Sequence, residues 1–286
     1  MKKHSMLGFT LIELMISLTL GLVIMLAAMQ LLLTNQMSFN LQSGMGNVQE
    51  NGRFALDYIN GTVRAAEYSQ NDTNSTTGII TDTNELPGLA ATAVNLISRN
   101  DLTALGKDSS DQLVTRMWVS QTMIDAGYRD CEGNAIASPR FVVIRYFVRA
   151  DTPSDSLAAL ACDAGSYTAD AAAIDGYGDD GIVLLSNLDS FQFFYGVAAL
   201  PTPELGQRYP ARYLTASEYT LLPAASRPVI VSLRVGLLVR SNEKVGTNIT
   251  TLPDVKVLEK TITGTDLNDK FIHRLFTSTL ALRNAI

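Results

Sequence analysis

Residues 8–33 decide the fold, and they read GFTLIELMISLTLGLVIMLAAMQLLL. Over residues 14–33 the polar side chains are those of Ser17, Thr19 and Gln30. A helix of twenty residues is about 30 Å long, which matches the thickness of the hydrocarbon core of a bilayer. The segment therefore predicts a membrane-spanning helix.

The flanks of this segment predict its orientation. Lys2 and Lys3 precede it and no basic cluster follows it closely, so we expect the N-terminus in the cytoplasm and the remainder outside. No A-x-A site follows the apolar run, which is also longer than that of a secretory signal, so cleavage behind it is not expected. Glu13 lies at the head of the apolar stretch, where a charge is costly and requires a partner.

The same residues resemble the processing motif of type IV prepilins, which combines a short basic leader with the equivalents of Gly8, Phe9 and Glu13. The resemblance implies that a prepilin peptidase removes residues 1–8 and that Phe9 is then N-methylated. The Glu13 carboxylate would pair with the new α-amino group of Phe9 in a neighbouring subunit, because an unpaired buried charge is unfavourable. Loss of the two leader lysines changes the formal net charge from −6 to −8. The alternative is a plain signal anchor with an incidental glutamate.

The helix is predicted to continue beyond the membrane. Apolar side chains recur mostly at spacings of three, four or seven, and no proline interrupts them. We expect a helix over residues 9–68, with 9–33 in the membrane or filament core and 34–68 amphipathic. Gly44 and Gly46 are the expected positions of a bend, because glycine destabilises a helix by ~1 kcal/mol relative to alanine.

Strand-forming sequence dominates residues 69–286. The predicted strands, rich in Val, Ile, Phe, Tyr and Thr, are 113–119, 141–148, 182–188, 191–197, 229–239 and 255–263. In the predicted strand 229–239, every second residue from Val229 to Val239 is apolar, which predicts that this side of the strand faces the core. A closing strand is expected from about Leu275. The fold class is therefore α+β, a long N-terminal helix packed against a β-rich head of residues 69–286.

Four further segments resemble the PilW family of minor pilins. They are QENGRFALD at 49–57, LDSFQFFYG at 188–196, SLRVGLLVRS at 232–241 and FTSTLALRN at 276–284. The resemblance implies a type IV pilin-like fold. One feature departs from the family, since residues 66–69 lack the expected glycine and cysteine, so the family's cysteine pairing is not carried over.

The chain has two cysteines, Cys131 and Cys162. Both lie in the part predicted to be exported, where thiols are oxidised by default. We therefore favour a Cys131–Cys162 disulfide over two free thiols. On the chain-entropy model, a bond closing a loop of this size stabilises the fold by about 3.5 kcal/mol.

Residues 176–181, GYGDDG, match the G-x-G-x-x-G pattern. A predicted strand follows them instead of a helix, and two aspartates would repel a pyrophosphate, so dinucleotide binding is not expected. Asp175, Asp179 and Asp180 offer oxygen ligands of the kind that calcium takes, but their spacing fails the EF-hand pattern. A Gly/Asp turn without a metal is favoured, with these three aspartates as the alternative calcium site.

Composition excludes several classes of function. The chain has no run rich in Lys and Arg, so direct nucleic-acid binding is not expected. His4, His273 and the two cysteines cannot build a usual zinc cluster. No G-x-S-x-G motif accompanies His273, which is expected to be an ordinary hydrogen-bonded or surface residue. We expect neither a cofactor nor an enzymatic activity.

The function predicted is that of a minor pilin. It would be anchored in the inner membrane with its head in the periplasm, processed, and then extracted into a type IV pilus, at or near the tip. By resemblance its partners are prepilin peptidase, the other minor pilins, the major pilin and the inner-membrane assembly platform. Such proteins prime pilus assembly and support twitching motility, adhesion or DNA uptake. The alternatives are a J-type pseudopilin of type II secretion and, more remotely, a membrane-anchored periplasmic enzyme.

Overall fold

The structure is a computed structural model that describes residues 10–66, 78–103, 107, 109–152, 157–199, 209–245, 252–267 and 270–282. The helices within these ranges are α1 Leu11–Ala65, α2 Gln121–Asp125 and α3 Ala216–Leu221. The strands are β1 Arg99–Thr103, β2 Ser110–Val119, β3 Arg140–Ala150, β4 Ala158–Tyr167, β5 Ile182–Leu185, β6 Leu188–Val197, β7 Arg212–Leu214, β8 Ile230–Arg240, β9 Val255–Val257, β10 Lys260–Ile262 and β11 His273–Ala281.

Helix α1 dominates the N-terminal part of the chain. At 55 residues it is about 80 Å long. It begins at a capping box formed by Thr10 and Glu13. The helix continues through Gly44 and Gly46, where a bend was expected. Gly44 is buried, and a Cβ atom built on it would lie 3.2 Å from Val245, so tertiary packing of the backbone offsets its low helix propensity.

The head contains two antiparallel sheets and a hairpin. The larger sheet has the order β1-β2-β3-β4-β5, and the second has the order β11-β8-β6-β7. Strands β9 and β10 pair with each other as the hairpin. These sheets and α1 confirm the predicted α+β fold of a long helix with a β-rich head.

The strand predictions differ from the structure in three respects. Residues 182–188 are not one strand, because a turn at Asn187, with a φ of 59°, separates β5 from β6. Residues 255–263 are the β9–β10 hairpin, with Leu258 in the turn at a φ of 54°. Strands β1, β4 and β7 were not predicted. Strand β4 consists mostly of small residues, AALACDAGSY, which have low strand propensity.

The main core lies between α1 and both sheets. The predicted core-facing side of β8 is confirmed at Leu233, Val235, Leu237 and Val239, which are fully buried. The opposite face of the second sheet is covered by the β9–β10 hairpin around Leu238. A third apolar cluster covers the outer face of the larger sheet and includes residues of the segment before β1. The head therefore has buried layers on both sides of its sheets.

A hydrogen-bonded junction joins the two sheets at β2 and β6. Asp111 Oδ2 accepts hydrogen bonds from Asn100 Nδ2 at 2.8 Å and from the backbone N–H of Phe193 at 3.0 Å. Ser110 Oγ accepts another from the N–H of Phe191 at 3.2 Å. Asp111 is buried, and burial raises its pKa to about 7, although its hydrogen bonds act in the opposite direction.

Candidate functional site

The first half of α1 is apolar and faces outward. Every side chain over residues 10–43 is exposed; Leu11, Ile24 and Leu31 have exposed fractions of 77%, 69% and 67%. With a mean hydropathy of 2.4 over its most apolar part, α1 is the helix in the described chain that is long and apolar enough to cross a membrane. An apolar surface of this extent requires lipid or protein to cover it.

Glu13 caps its own helix in the structure. Thr10 donates to the Glu13 carboxylate from its backbone N and from Oγ1, both at 3.2 Å, and the N–H of Glu13 donates to Thr10 Oγ1 at 3.3 Å. Glu13 is exposed, so its carboxylate is accessible to a cationic partner. Gly8 and Phe9, the predicted cleavage and methylation residues, lie outside the described residues.

The second half of α1 docks on the head through a stripe of small and apolar residues. The buried members are Gly44, Val48, Gly52, Ala55, Leu56, Ile59 and Val63. A Cβ atom built on Gly52 would lie 2.3 Å from the ring of Phe276 in β11, so the absence of a side chain permits this contact. Thr62 Oγ1 and Tyr146 Oη form a 2.7 Å hydrogen bond between α1 and β3. One helix thus has an exposed apolar half and a docked half.

The structure contains the predicted disulfide between Cys131 and Cys162. It joins the loop after α2 to strand β4, and both cysteines are buried. Each is followed directly by an acidic residue, Glu132 and Asp163 respectively. The disulfide therefore holds two carboxylates near each other.

These two residues form an acidic cluster with Asp179, which lies in the turn before β5. One carboxylate oxygen from each of Glu132, Asp163 and Asp179 lies within 4.8 Å of the other two. Asp163 is buried and forms an ion pair with Arg145 at 2.8 Å. Burial, followed by the charges of neighbouring carboxylates, raises the pKa of Glu132. Asp179 is exposed, so the cluster is open to solvent at one side.

The three aspartates of the alternative calcium site have different surroundings in the structure. Asp179 belongs to the acidic cluster, whereas Asp175 forms a backbone bridge with Ser166 and Asp180 is an exposed residue of the turn. The cluster thus draws on three segments that are distant in sequence. The sequence signal for it was limited to acidic residues next to both cysteines.

The glycine-rich segment forms a turn, as favoured from the sequence. Gly176, Gly178 and Gly181 have φ values of 74°, 104° and 52°, which disfavour residues with side chains. A Cβ atom on Gly181 would also overlap the backbone carbonyl oxygen of Cys162. Strand β5 follows directly, so the segment lacks the helix that a dinucleotide-binding loop requires.

The side chain of His273 is almost completely enclosed and contacts an acidic residue. Its Nδ1 atom lies 2.6 Å from Asp189 Oδ2, and Arg240 Nε lies 3.9 Å from Asp189 Oδ1. His273 lies in β11, Asp189 in β6 and Arg240 in β8. The contacts therefore link three neighbouring strands of the second sheet. This arrangement is consistent with the predicted ordinary role of His273.

Two family models match the chain. The model described as type IV pilus-assembly protein W matches residues 145–284, and the prokaryotic N-terminal methylation motif matches residues 4–29. The second half of the chain is therefore similar to the PilW family, and its N-terminus carries the prokaryotic methylation motif. The PilW match covers three of the four segments named from the sequence and leaves out 49–57, which lies in α1. The family is one of structural subunits.

Solved structures similar to this chain include a pilin. A type IV-like pilin from Thermus thermophilus matches with 12% sequence identity and a TM-score of 0.43, covering 83% of this chain and 98% of its own. No match was found among curated protein sequences.

Sequence reasoning missed two features of the head. Asp111 was overlooked because an isolated aspartate at the start of a strand carries no visible sign of its three N–H donors. The acidic cluster was overlooked because strand β4 was not recognised, which left Asp163 without a predicted location. The sequence neighbours of Cys131 and Cys162 were the available clue to the second feature.

Proposed function

We propose that this PilW-type protein is a minor pilin that prepilin peptidase cleaves after Gly8, that is N-methylated on Phe9, and that assembles into a type IV pilus. The observation that supports this most strongly is the division of α1. Its residues 10–43 are all exposed and largely apolar, whereas the stripe between Gly44 and Val63 is buried on the head. A subunit needs one helical region for its neighbours and another for its own head.

The chain then has three functional parts. Residues 1–8 are the leader, 9–68 the pilin helix and 69–286 the head. Before assembly, residues 9–33 cross the inner membrane with the leader in the cytoplasm and the head in the periplasm, as the leader lysines favour. After extraction, the same apolar residues contact the helices of other pilins in the fibre.

The similarity to pilus-assembly protein W supports a proposed location in the fibre. We place the protein in a complex of minor pilins that primes assembly and remains at or near the tip, where it supports twitching motility, adhesion or DNA uptake. Its partners are the other minor pilins, the major pilin and the assembly platform. The protein acts as a structural subunit and not as an enzyme.

Glu13 changes its partner in this proposal. In the single subunit its carboxylate accepts hydrogen bonds from Thr10 at 3.2 Å. During assembly it pairs with the α-amino group of Phe9 of an adjacent subunit, in an environment where an unpaired charge is costly. The pair favours the one axial position of the incoming subunit at which both charges meet.

Three variants of the helix test the pairing. Glu13→Gln keeps a residue that can complete the capping box but removes the charge, and Glu13→Ala removes both. We expect both variants to be cleaved after Gly8. The amount of each variant in sheared pili should fall at least about tenfold relative to the wild type, because breaking a buried ion pair costs several kcal/mol. Glu50 is an exposed residue in the docked half of α1, so Glu50→Ala is the control and should be incorporated into pili as the wild type is. Wild-type incorporation of Glu13→Gln would refute the pairing.

Deletion of the gene tests the pathway. We expect loss of surface pili, restored by the wild-type chain. Loss of enzyme secretion with pili intact would instead identify a J-type pseudopilin of type II secretion. No effect on either process would contradict both assignments.

A further inference from the structure

The acidic cluster concentrates negative charge that the described residues do not balance. Glu132, Asp163 and Asp179 contribute three carboxylates, and the ion pair that the structure gives the cluster is the one between Arg145 and Asp163. Arg145 also donates to the backbone oxygen of Asp179. The Asp179 carboxylate accepts a hydrogen bond from the N–H of Gly181 at 2.7 Å, and the structure gives it no ion pair among the described residues.

Asp163 carries an unsatisfied oxygen. Its side chain is fully buried, and its Oδ2 atom accepts hydrogen bonds from Arg145 Nε at 2.8 Å and from the backbone N–H of Gly178 at 3.0 Å. Its Oδ1 atom is also buried and has no hydrogen-bond partner among the described residues. A buried carboxylate oxygen without a partner carries a desolvation cost of about 1–3 kcal/mol or more, so such atoms in folded proteins usually contact a protein donor, an ordered water or an ion.

The disulfide fixes the cluster in position. Cys131 and Cys162 are covalently joined, and each precedes one member, Glu132 or Asp163, by a single residue. Asp179, the third member, lies in the glycine-rich turn of residues 176–181, where Gly181 packs directly on the backbone of Cys162. The loop after α2, strand β4 and the turn before β5 thus meet at the acidic cluster. The disulfide restrains the two segments that carry Glu132 and Asp163.

We propose that Glu132, Asp163 and Asp179 bind a calcium ion. Calcium takes six to eight oxygen ligands at 2.3–2.6 Å, so two of its ligands are at most about 5 Å apart, and the 4.8 Å limit on these three oxygens fits within that range. The donors are all carboxylate oxygens, which suit calcium better than zinc. Water fills the remaining coordination positions on the exposed side of Asp179. The bound ion compensates the negative charge and ties the loop after α2 to β4 and to the turn before β5.

Calcium titration of the full chain in detergent, after treatment with a chelator, tests this site. We expect saturable binding of one ion by calorimetry, with a dissociation constant on the order of 10⁻⁴ M, as in extracellular calcium modules. A hundredfold excess over that constant should raise Tm by about 5–10 °C. Absence of both saturable binding and a Tm shift in the wild type would overturn the proposal.

Matched variants locate the ion. Asp179→Asn and Glu132→Gln should each weaken binding at least about tenfold, since each removes one charged ligand. Asp180→Asn makes the same change of charge at the neighbouring exposed residue and should bind as the wild type does. Equal binding by Asp179→Asn and Asp180→Asn would overturn the site. Asp163 is left unchanged, because its substitution would also break the ion pair with Arg145.

Magnesium distinguishes a specific site from charge attraction alone. Magnesium requires near-ideal octahedral geometry and gives up its water reluctantly, so we expect at most a small Tm shift at the same concentration. An equal response to magnesium and calcium would show only general attraction to the acidic cluster and would overturn the assignment to calcium.

Discussion

Gly52 is the point where α1 comes closest to the head. A Cβ atom at this position would lie 2.3 Å from the ring of Phe276. We predict that Gly52→Ala lowers the free energy of unfolding by about 1–3 kcal/mol, because the ring or the helix must move. Thermal or denaturant unfolding of the full chain in detergent measures the loss. Adding Phe276→Leu should restore part of it by removing the blocking ring atoms.

Gly46 provides the matched control for this contact. It lies in the same helix, and a Cβ atom there has no neighbour within 4 Å. Gly46→Ala should therefore stabilise the chain by up to about 1 kcal/mol through helix propensity. The same sign of change at both positions would contradict the proposed role of Gly52 in packing.

At the scale of the elements, the long helix could be predicted and the small-residue strand could not. Helix α1 carries a strong apolar signal and no proline, and its described span of Leu11–Ala65 lies within the expected 9–68. Strand β4 is rich in alanine, and neighbours β3 and β5 make it a strand through hydrogen bonds between residues far apart in sequence. Because Asp163 of the acidic cluster lies in β4, the cluster could not be predicted from the sequence either. Only Asp179 of its members was singled out.

The junction between β2 and β6 is predicted to depend on pH. Asp111 has an ordinary pKa of 3.8, and burial raises it to about 7 in the folded chain. The folded state therefore holds a proton that the unfolded state releases, so this contribution to stability is full below pH 4 and is lost as the pH rises to 7. The loss amounts to roughly 4 kcal/mol at 1.36 kcal/mol for each pKa unit. Denaturant unfolding at pH 4, 5.5 and 7 measures it.

The variant Asp111→Asn isolates this effect. It should be less stable than the wild type at pH 4, because its amide group faces the donors of Asn100 and Phe193. That difference should shrink as the pH rises to 7, since the variant has no proton to lose there. Asp57→Asn, at an exposed position of α1, should follow the wild-type profile. A constant difference between Asp111→Asn and the wild type across this range would contradict the raised pKa.

At the scale of the whole molecule, one helix serves two environments. Its first half is exposed and apolar, and its second half is fixed to the head by close glycine packing and by the Thr62–Tyr146 hydrogen bond. The disulfide, the Arg145–Asp163 ion pair and the contact between His273 and Asp189 link strands and loops of the head. In the proposed assembly the apolar half of α1 is the part that moves from the membrane into the fibre, so we expect the head to stay folded throughout.

Mass spectrometry of the chain recovered from sheared pili tests most directly whether the protein is a processed minor pilin. We predict a mature chain that begins at N-methylated Phe9, lacks residues 1–8 and is present in the fibre fraction. The precursor with an intact leader should be confined to the membrane fraction and should accumulate when Gly8 is replaced by a residue that blocks cleavage. Absence of the chain from purified pili, with the uncleaved leader retained in the membrane, would contradict its assignment as a processed minor pilin.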